Sequence, residues 1–376
     1  EVELSSDEFN LSRDGEHGLR IAFLPEPRET PVDGNWRPAD GSAPPPAIAP
    51  FNADAAQRHQ QAWADYLGLP VEKEIELPGN GKMKFVLIPP GEFLMGATIE
   101  EWTLFMNQAK ASGDHADAAQ YPNEHPQHRV RLTEPFYLAM HELTQAQWEA
   151  VTGENPSRFE GDSSRPVEQV DREMIQSYLR TLNDEVAREN LRFVLPTEAQ
   201  WEFACRAGAT SPWCYGDDES DFGKYGWFAG NAYGTTHPVG KKRPNAFGLY
   251  DMHGNVHEIC ADWYSNTYYE HSPAVNPRGP ADGTAWVARG GSFRHVPRIC
   301  RSAKRRYDSP NRRAYNKGFR LALAIEDRSA RPQFAVAPFN ADEALRQQRA
   351  WADYLGLPVE KTIPIPGGET MTFMLV

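Results

Sequence analysis

Arg289–Arg320 reads RGGSFRHVPRICRSAKRRYDSPNRRAYNKGFR. It opens on a Gly-Gly turn, where two residues without a Cβ let the backbone reverse. It closes on Gly318-Phe319-Arg320, which opens a strand. Eleven of its residues are Lys or Arg, and only Asp308 is acidic. The chain carries −13 at pH 7, which leaves −23 on everything outside the stretch (−13 minus 10). Charge concentrated in this way on an acidic protein either neutralises acidic neighbours inside the fold or meets an anionic partner.

Working outward, 376 residues allow one large domain or two ordinary ones. Apolar content of 40% and charged content of 24% describe a globular chain. Frequent Pro, Gly and Trp point to a loop-rich fold rather than a helical bundle. No window reaches the roughly 18 apolar residues of a membrane helix. The acidic balance argues against non-specific nucleic-acid binding by the whole surface, and no sequence-specific nucleic acid is expected. The four cysteines, Cys205, Cys214, Cys260 and Cys300, form no C-x-x-C pair, which disfavours a zinc knuckle. Scattered through a chain of this length, they are expected to be reduced and partly buried.

Residues 1–25 read as the tail of a preceding module, and 26–50, with Pro44-Pro45-Pro46, as an extended linker. PFNADAAQRHQQAWADYLGLPVEK begins at Pro50, and PFNADEALRQQRAWADYLGLPVEK begins at Pro338. The first copy predicts a linker helix within 51–73, capped by Asn52 and ended by Gly68. The second predicts a linker helix and the start of a second repeat over 327–376, a spacing that suits a domain repeat rather than a solenoid. The main domain is expected over 74–326. Strands are predicted at 84–88, 92–95, 125–132 and 135–140. Thr144 with Gln147 and Thr197 with Gln200 form capping boxes, and Asp171 caps a third helix. Beyond Ala207 helix signals vanish, and so long an irregular stretch needs tight packing, metal ions or both.

Several motifs recur in the order of one family: LIPPGEFLMGA, HRVRLTEPFYLAMHELTQAQWEAVTG, RFVLPTEAQWEFACRAG, PNAFGLYDMHGNVHEICADWY, RGGSF and GFRLA. Over about Met83–Ala324 the chain resembles the formylglycine-generating enzyme (sulfatase-modifying factor) domain. The resemblance implies an α+β, loop-rich C-type-lectin-like fold, here with flanking linker helices. It also implies copper-dependent aerobic oxidation of a substrate cysteine to formylglycine by two cysteines five residues apart. The second of those positions falls on Cys300 and the first on His295, so sulfur stands on one side only. A His–Cys pair suits Cu(I) as well; the alternative is that Cys300 fills a core position.

The resemblance matches Asp251, Gly254, Val256 and Glu258 to a calcium site of the family. A hard cation takes carboxylates and main-chain carbonyls, which these residues supply. The alternative is that Asp251 and Glu258 hydrogen-bond loop amides. His257 replaces the family's usual Trp. Trp63, Trp148, Trp201 and Trp263 are expected in the core. Arg294, Arg298, Arg301, Arg305, Arg306, Arg312 and Arg313 are the candidates for binding an acidic peptide, protein or glycan, or a neighbouring module, because guanidinium forks fit carboxylate, sulfate and phosphate. Two functions stand side by side: a binding module with an Arg-rich surface, and a copper- and oxygen-dependent oxidase.

Overall fold

The computed structural model describes residues 43–118, 121–186, 191–325, 345–346, 348–349, 360–364 and 370–374. The residues expected as a preceding tail, 1–25, lie outside these. From the N-terminal side, the elements are β1 (Ala47–Ile48), α1 (Ala53–Leu67), β2 (Glu72–Glu76), β3 (Lys82–Ile88), β4 (Gly91–Met95), α2 (Ile99–Ala111), α3 (His115–Ala118), β5 (His128–Leu132) and β6 (Phe136–Ala139). There follow α4 (Gln145–Thr152), α5 (Arg172–Glu185), β7 (Leu191–Val194), α6 (Glu198–Arg206) and α7 (Phe222–Tyr225). The last elements of the main domain are β8 (His257–Trp263), β9 (Trp286–Arg289), β10 (Arg306–Asp308), β11 (Lys317–Gly318) and β12 (Ala322–Ile325). All of these fall within one compact unit, Asp33–Glu326. A hairpin, β13 (Glu360–Pro364) with β14 (Thr370–Met374), belongs to another unit.

The helices start where the caps dictate. Thr144 and Thr197 each accept from the amide three residues on, while Gln147 and Gln200 return the bond to the cap's own amide. Both capping boxes thereby satisfy backbone donors that a helix N-terminus otherwise leaves unpaired. Asp171 caps α5 through Met174, and Asn52 caps α1 through Ala55. Gly68 ends α1 at φ 64°, a conformation that a Cβ disfavours.

An antiparallel, five-stranded sheet runs in the order β2-β3-β6-β12-β7, and a four-stranded sheet, with β11 parallel to β8, in the order β10-β9-β8-β11. A third sheet joins β1, β4 and β5. Alternation along β3 explains the two main cores. Phe85 and Leu87 enter a cluster with Trp63, Trp148, Tyr178 and Phe319, while Val86 and Ile88 face Phe93, Trp201, Phe203 and Leu249. Successive side chains on a strand point to opposite faces, so one strand floors both.

Residues ahead of the expected boundary at 74 also lie in the compact unit Asp33–Glu326. Residues 43–50, predicted as part of a linker, and 51–73, predicted as a linker helix, pack on the domain. Ala47–Ile48 pairs in parallel with β4, and the Trp63 indole donates to the Pro45 carbonyl. Gln60, buried, donates to the carbonyls of Leu87 and Phe247. Helix α2 was not foreseen; its cap, Thr98, precedes two acids, Glu100 and Glu101, that suit a helix start. The strand expected over 125–132 begins only at His128.

The irregular region after Ala207 is held by packing and by side chains bonded to backbone. Asn245 donates to the Ala204 and Cys205 carbonyls and accepts from the Phe247 and Leu249 amides. One buried amide side chain thus satisfies four main-chain groups. All four cysteines are free, and all but Cys214 are buried. Among the described residues no helix is long and apolar enough to cross a membrane.

Candidate functional site

The segment 289–320 divides into an inner and an outer set of cations. Arg289 is fully buried; it donates to the carbonyls of Ser302, Ala303 and Lys304 and pairs with Glu202. Arg305 grips Glu198 with both arms, at 2.7 and 2.9 Å. Arg301 joins Glu101 at 2.5 Å to Glu124 at 2.7 Å, and Lys304 reaches Asp117 and Glu124. Arg320 forks onto Glu258, with Nε and Nη2 at 2.5 and 2.7 Å. The acids come from α2, α3, the turn before β5, α6 and β8, so the basic segment ties these elements together. Burial alone pushes the Glu202 carboxyl up, but Arg206 and Arg289 outweigh it and hold it below the ordinary range.

This corrects the expectation for two arginines. Arg301 and Arg305 are fully buried and cannot form a surface. Arg298 and Arg306 lie against Asp117, at 3.6 and 3.9 Å, and Arg298 also reaches Asp114. Of the first reading's two possibilities, neutralisation inside the fold accounts for the greater part of the charge.

Arg294, Arg312 and Arg313 remain at the rim. Arg294 donates to the Tyr315 hydroxyl, with its guanidinium carbon 5.1 Å from the ring centre. Arg158, which the sequence did not single out, stands 4.7 Å from the same ring. Phe159 and Phe293 pack edge-on beneath, with centroids 5.5 Å apart, and Phe159 lies 5.9 Å from Tyr315. Arg312 is loosely paired with Asp308 at 3.8 Å, and Arg313 bonds Asp171 at 2.7 Å; both side chains stay more than half exposed. Arg158 and Phe159 were missed because they lie in a loop, 155–160, far from the basic segment in sequence.

His295 and Cys300 enter different surroundings. The His295 ring lies 4.8 Å from that of His257, with Nδ1 2.8 Å from the Ser292 hydroxyl. Burial first, then Arg306, pushes its pKa down to about 3, so the ring is neutral at pH 7. Cys300 packs among Phe105, Ala109, Trp213 and Phe222, and burial pushes its thiol up to about 12. A Cβ on Gly291, at φ 74°, would collide with the Cys300 sulfur, which is why the turn needs glycine there. The thiol thus sits in an aromatic cluster and the imidazole against Ser292.

The loop 251–258 is buried throughout. Asp251 Oδ2 accepts the Gly240 amide at 2.7 Å, while Oδ1 is buried without a hydrogen-bond partner. Glu258, expected to offer a carboxylate to calcium, instead holds Arg320 and accepts the Trp201 indole at 2.8 Å. Glu142, not singled out from sequence, accepts from the Val256 amide and Asn255 Nδ2. Burial, then Asp251 and Glu258, raise the Glu142 carboxyl well above its usual range, and burial lifts Asp251 to about 6. Among the described residues no three His, Cys, Asp or Glu side chains converge to hold a metal. A cation here would rely on Asp251 Oδ1 and main-chain oxygens, so the expected donor set fits in part. A cleft of about 280 Å³ is lined by Phe51, Cys214, Tyr225 and Asn245 among others, and the Cys214 amide donates to His253 of the loop.

Residues 74–325 match the family described as the sulfatase-modifying factor enzyme 1-like domain. A formylglycine-generating enzyme from Streptomyces coelicolor is 41% identical over 143 residues, which cover 34% of this chain and 46% of that protein. The chain thus spans about half the length of such curated relatives. Among solved structures, Treponema denticola variable protein 1 superposes with a TM-score of 0.56 at 27% identity, covering 68% of this chain and all of that one. PvdO from Pseudomonas aeruginosa gives a TM-score of 0.54 at 26% identity, covering 65% of this chain and 95% of its own.

Proposed function

The chain belongs to the sulfatase-modifying factor enzyme 1-like domain family, and we propose that it serves there as a module binding an acidic peptide, protein or glycan. The observation that carries this reading is the pair of guanidiniums, Arg158 and Arg294, held against the one ring of Tyr315. Each of these guanidinium forks fits a carboxylate, sulfate or phosphate. Arg312 and Arg313 extend the exposed positive rim, and the half-buried Phe159 and Tyr315 give an apolar floor. A structural neighbour is named a variable protein. The rim is the part of the segment where residues can change with least disturbance to the buried ion pairs.

Retention on an acidic peptide array is expected to fall at least tenfold when Arg294 and Arg312 both become Glu. Unchanged retention rejects the reading. The alternative is copper- and oxygen-dependent oxidation of a substrate cysteine to formylglycine. Aldehyde formed from a cysteine peptide with Cu(I) and oxygen, and lost in Cys300→Ala, would replace the binding reading with that one.

We also propose that the Asp251 loop takes Ca²⁺ through Asp251 Oδ1 and the carbonyls of Gly254 and Val256, offsetting acids that outnumber the nearby Arg320. Addition of Ca²⁺ to chelator-treated protein is expected to raise Tm, and Asp251→Asn to abolish that rise. A Tm indifferent to both chelator and calcium removes the site.

A further inference from the structure

The loop 155–160, which carries Arg158 and Phe159 to the rim, is held by residues 166–169. The Phe159 amide donates to Glu168 Oε1 at 2.8 Å, and the Arg158 amide bonds the same carboxylate. The Glu168 amide in turn donates to the Ser157 hydroxyl at 3.3 Å. From α4, Gln145 donates to the carbonyls of Phe159 and Pro166 and so clamps the loop to the segment. One residue on, the Gln169 amide donates to the Ala314 carbonyl, next to Tyr315. Glu168 and Gln169 thus set Arg158 and Phe159 on one side of the rim against Tyr315 on the other.

Glu168 is fully buried, and its second oxygen, Oε2, has no hydrogen-bond partner among the described residues. A buried carboxylate with one oxygen bare is an unfavourable place for a full negative charge. Burial pushes its pKa up to about 7, against the opposing pull of the two amides and of the Arg158 charge. The charges acting on it are Arg158, which favours the ionised form, and Glu160, which opposes it. The other elements packed here bring the uncharged Gln145 and the Tyr315 phenol. Glu142 accepts from residues 255 and 256, and Lys317 reaches Asp308.

We propose that Glu168 couples the rim's hold on an anion to a proton: the rim binds more tightly when Glu168 is neutral, and binding draws a proton onto Oε2. This rests on the reading of the rim as an anion-binding surface. An ionised Glu168 and an anion at the rim both draw on the Arg158 charge, so each weakens the hold of the other. A proton on Oε2 ends that competition while the Phe159 amide keeps its bond to Oε1, so the loop stays in place. The coupling is reciprocal: the factor by which the proton raises anion affinity is the factor by which the anion raises proton affinity. Affinity is therefore highest below pH 7, where Glu168 is already protonated in the unbound chain, and falls as pH rises through its transition.

The test measures the affinity of the full chain for a heparin-derived oligosaccharide between pH 6 and pH 9, a range in which the probe's sulfates keep their charge. Affinity is expected to fall roughly fivefold or more across that range. Glu168→Gln keeps an oxygen for the Phe159 amide. It is expected to hold the parent's pH 6 affinity throughout and so to bind more tightly than the parent at pH 9. A residue that only shaped the loop would weaken binding at both pH values when replaced. Should Glu168→Gln not fold, Arg158→Gln removes the guanidinium through which the carboxylate acts, and is expected to bind more weakly at pH 6 and to lose the fall. A parent with equal affinity at both pH values, or a Glu168→Gln variant that falls as the parent does, overturns the inference and leaves anion binding by the rim standing. No retention of the probe at any pH overturns both.

Discussion

Arg301 and Arg312 leave the same basic segment in opposite directions. Arg301 is sealed between Glu101 and Glu124, and Arg312 stands in solvent with a loose hold on Asp308. The same division separates Arg289, Arg305 and Arg320 from Arg294 and Arg313. The inner set is matched by acids from elements distant in sequence, so most of the window's charge is cancelled before it reaches the surface. A local excess of arginine therefore says how many acids a fold has to bring to it, and only the remainder describes a partner.

The comparison can be broken at its strongest point first. Arg301→Ala takes the fork from the buried Glu124 and the half-buried Glu101 and is expected to cost about 3–5 kcal/mol in urea unfolding. A loss below about 1 kcal/mol would mean that the inner set is no different from the rim. Next, Trp201→Phe keeps the ring but removes the indole donor from Glu258; a loss of about 1–3 kcal/mol is expected. A pH-gated effect follows at Asp262, whose side chain accepts the Glu198 amide at 2.7 Å. Burial and then Glu198 raise its pKa to about 8, from an ordinary 3.8. Between those values the folded chain holds a proton that the unfolded chain has released, so this group's contribution falls as pH rises through the window. Asp262→Asn is expected to leave Tm near that of the parent at pH 4 and to raise it at pH 9, and equal shifts at both would contradict the assignment. Smallest of all, Arg312→Ala should change stability by no more than about 0.5 kcal/mol.

Much of the frame was legible from sequence. The capping boxes at Thr144 and Thr197, the cap at Asp171 and the end of α1 at Gly68 rest on contacts within a few residues, and each stands as read. The ordered motifs identified the family, which the match over residues 74–325 shows. Trp63, Trp148 and Trp201 are core residues as expected, while Trp263 is half-buried with the Arg172 guanidinium 3.9 Å above it. The site was less legible, because its pairings span long separations. Nothing near Arg305 in sequence points to Glu198, and nothing near Tyr315 points to Arg158. For residues 43–73 the receiving surface was not legible for a related reason: Pro-rich composition signals an extended backbone, but not which surface it lies on.

Residues 50–73 and 338–361 differ only at Ala55, Gln57, His59 and Gln61 of the first copy, none of them buried, which bears on how such a chain changes length. An unequal crossover between the two copies would insert or excise a unit of 288 residues. Because Ala56, Gln60, Trp63 and Ala64, which α1 buries, have identical counterparts 288 residues on, the product would carry the same docking side chains across its junction.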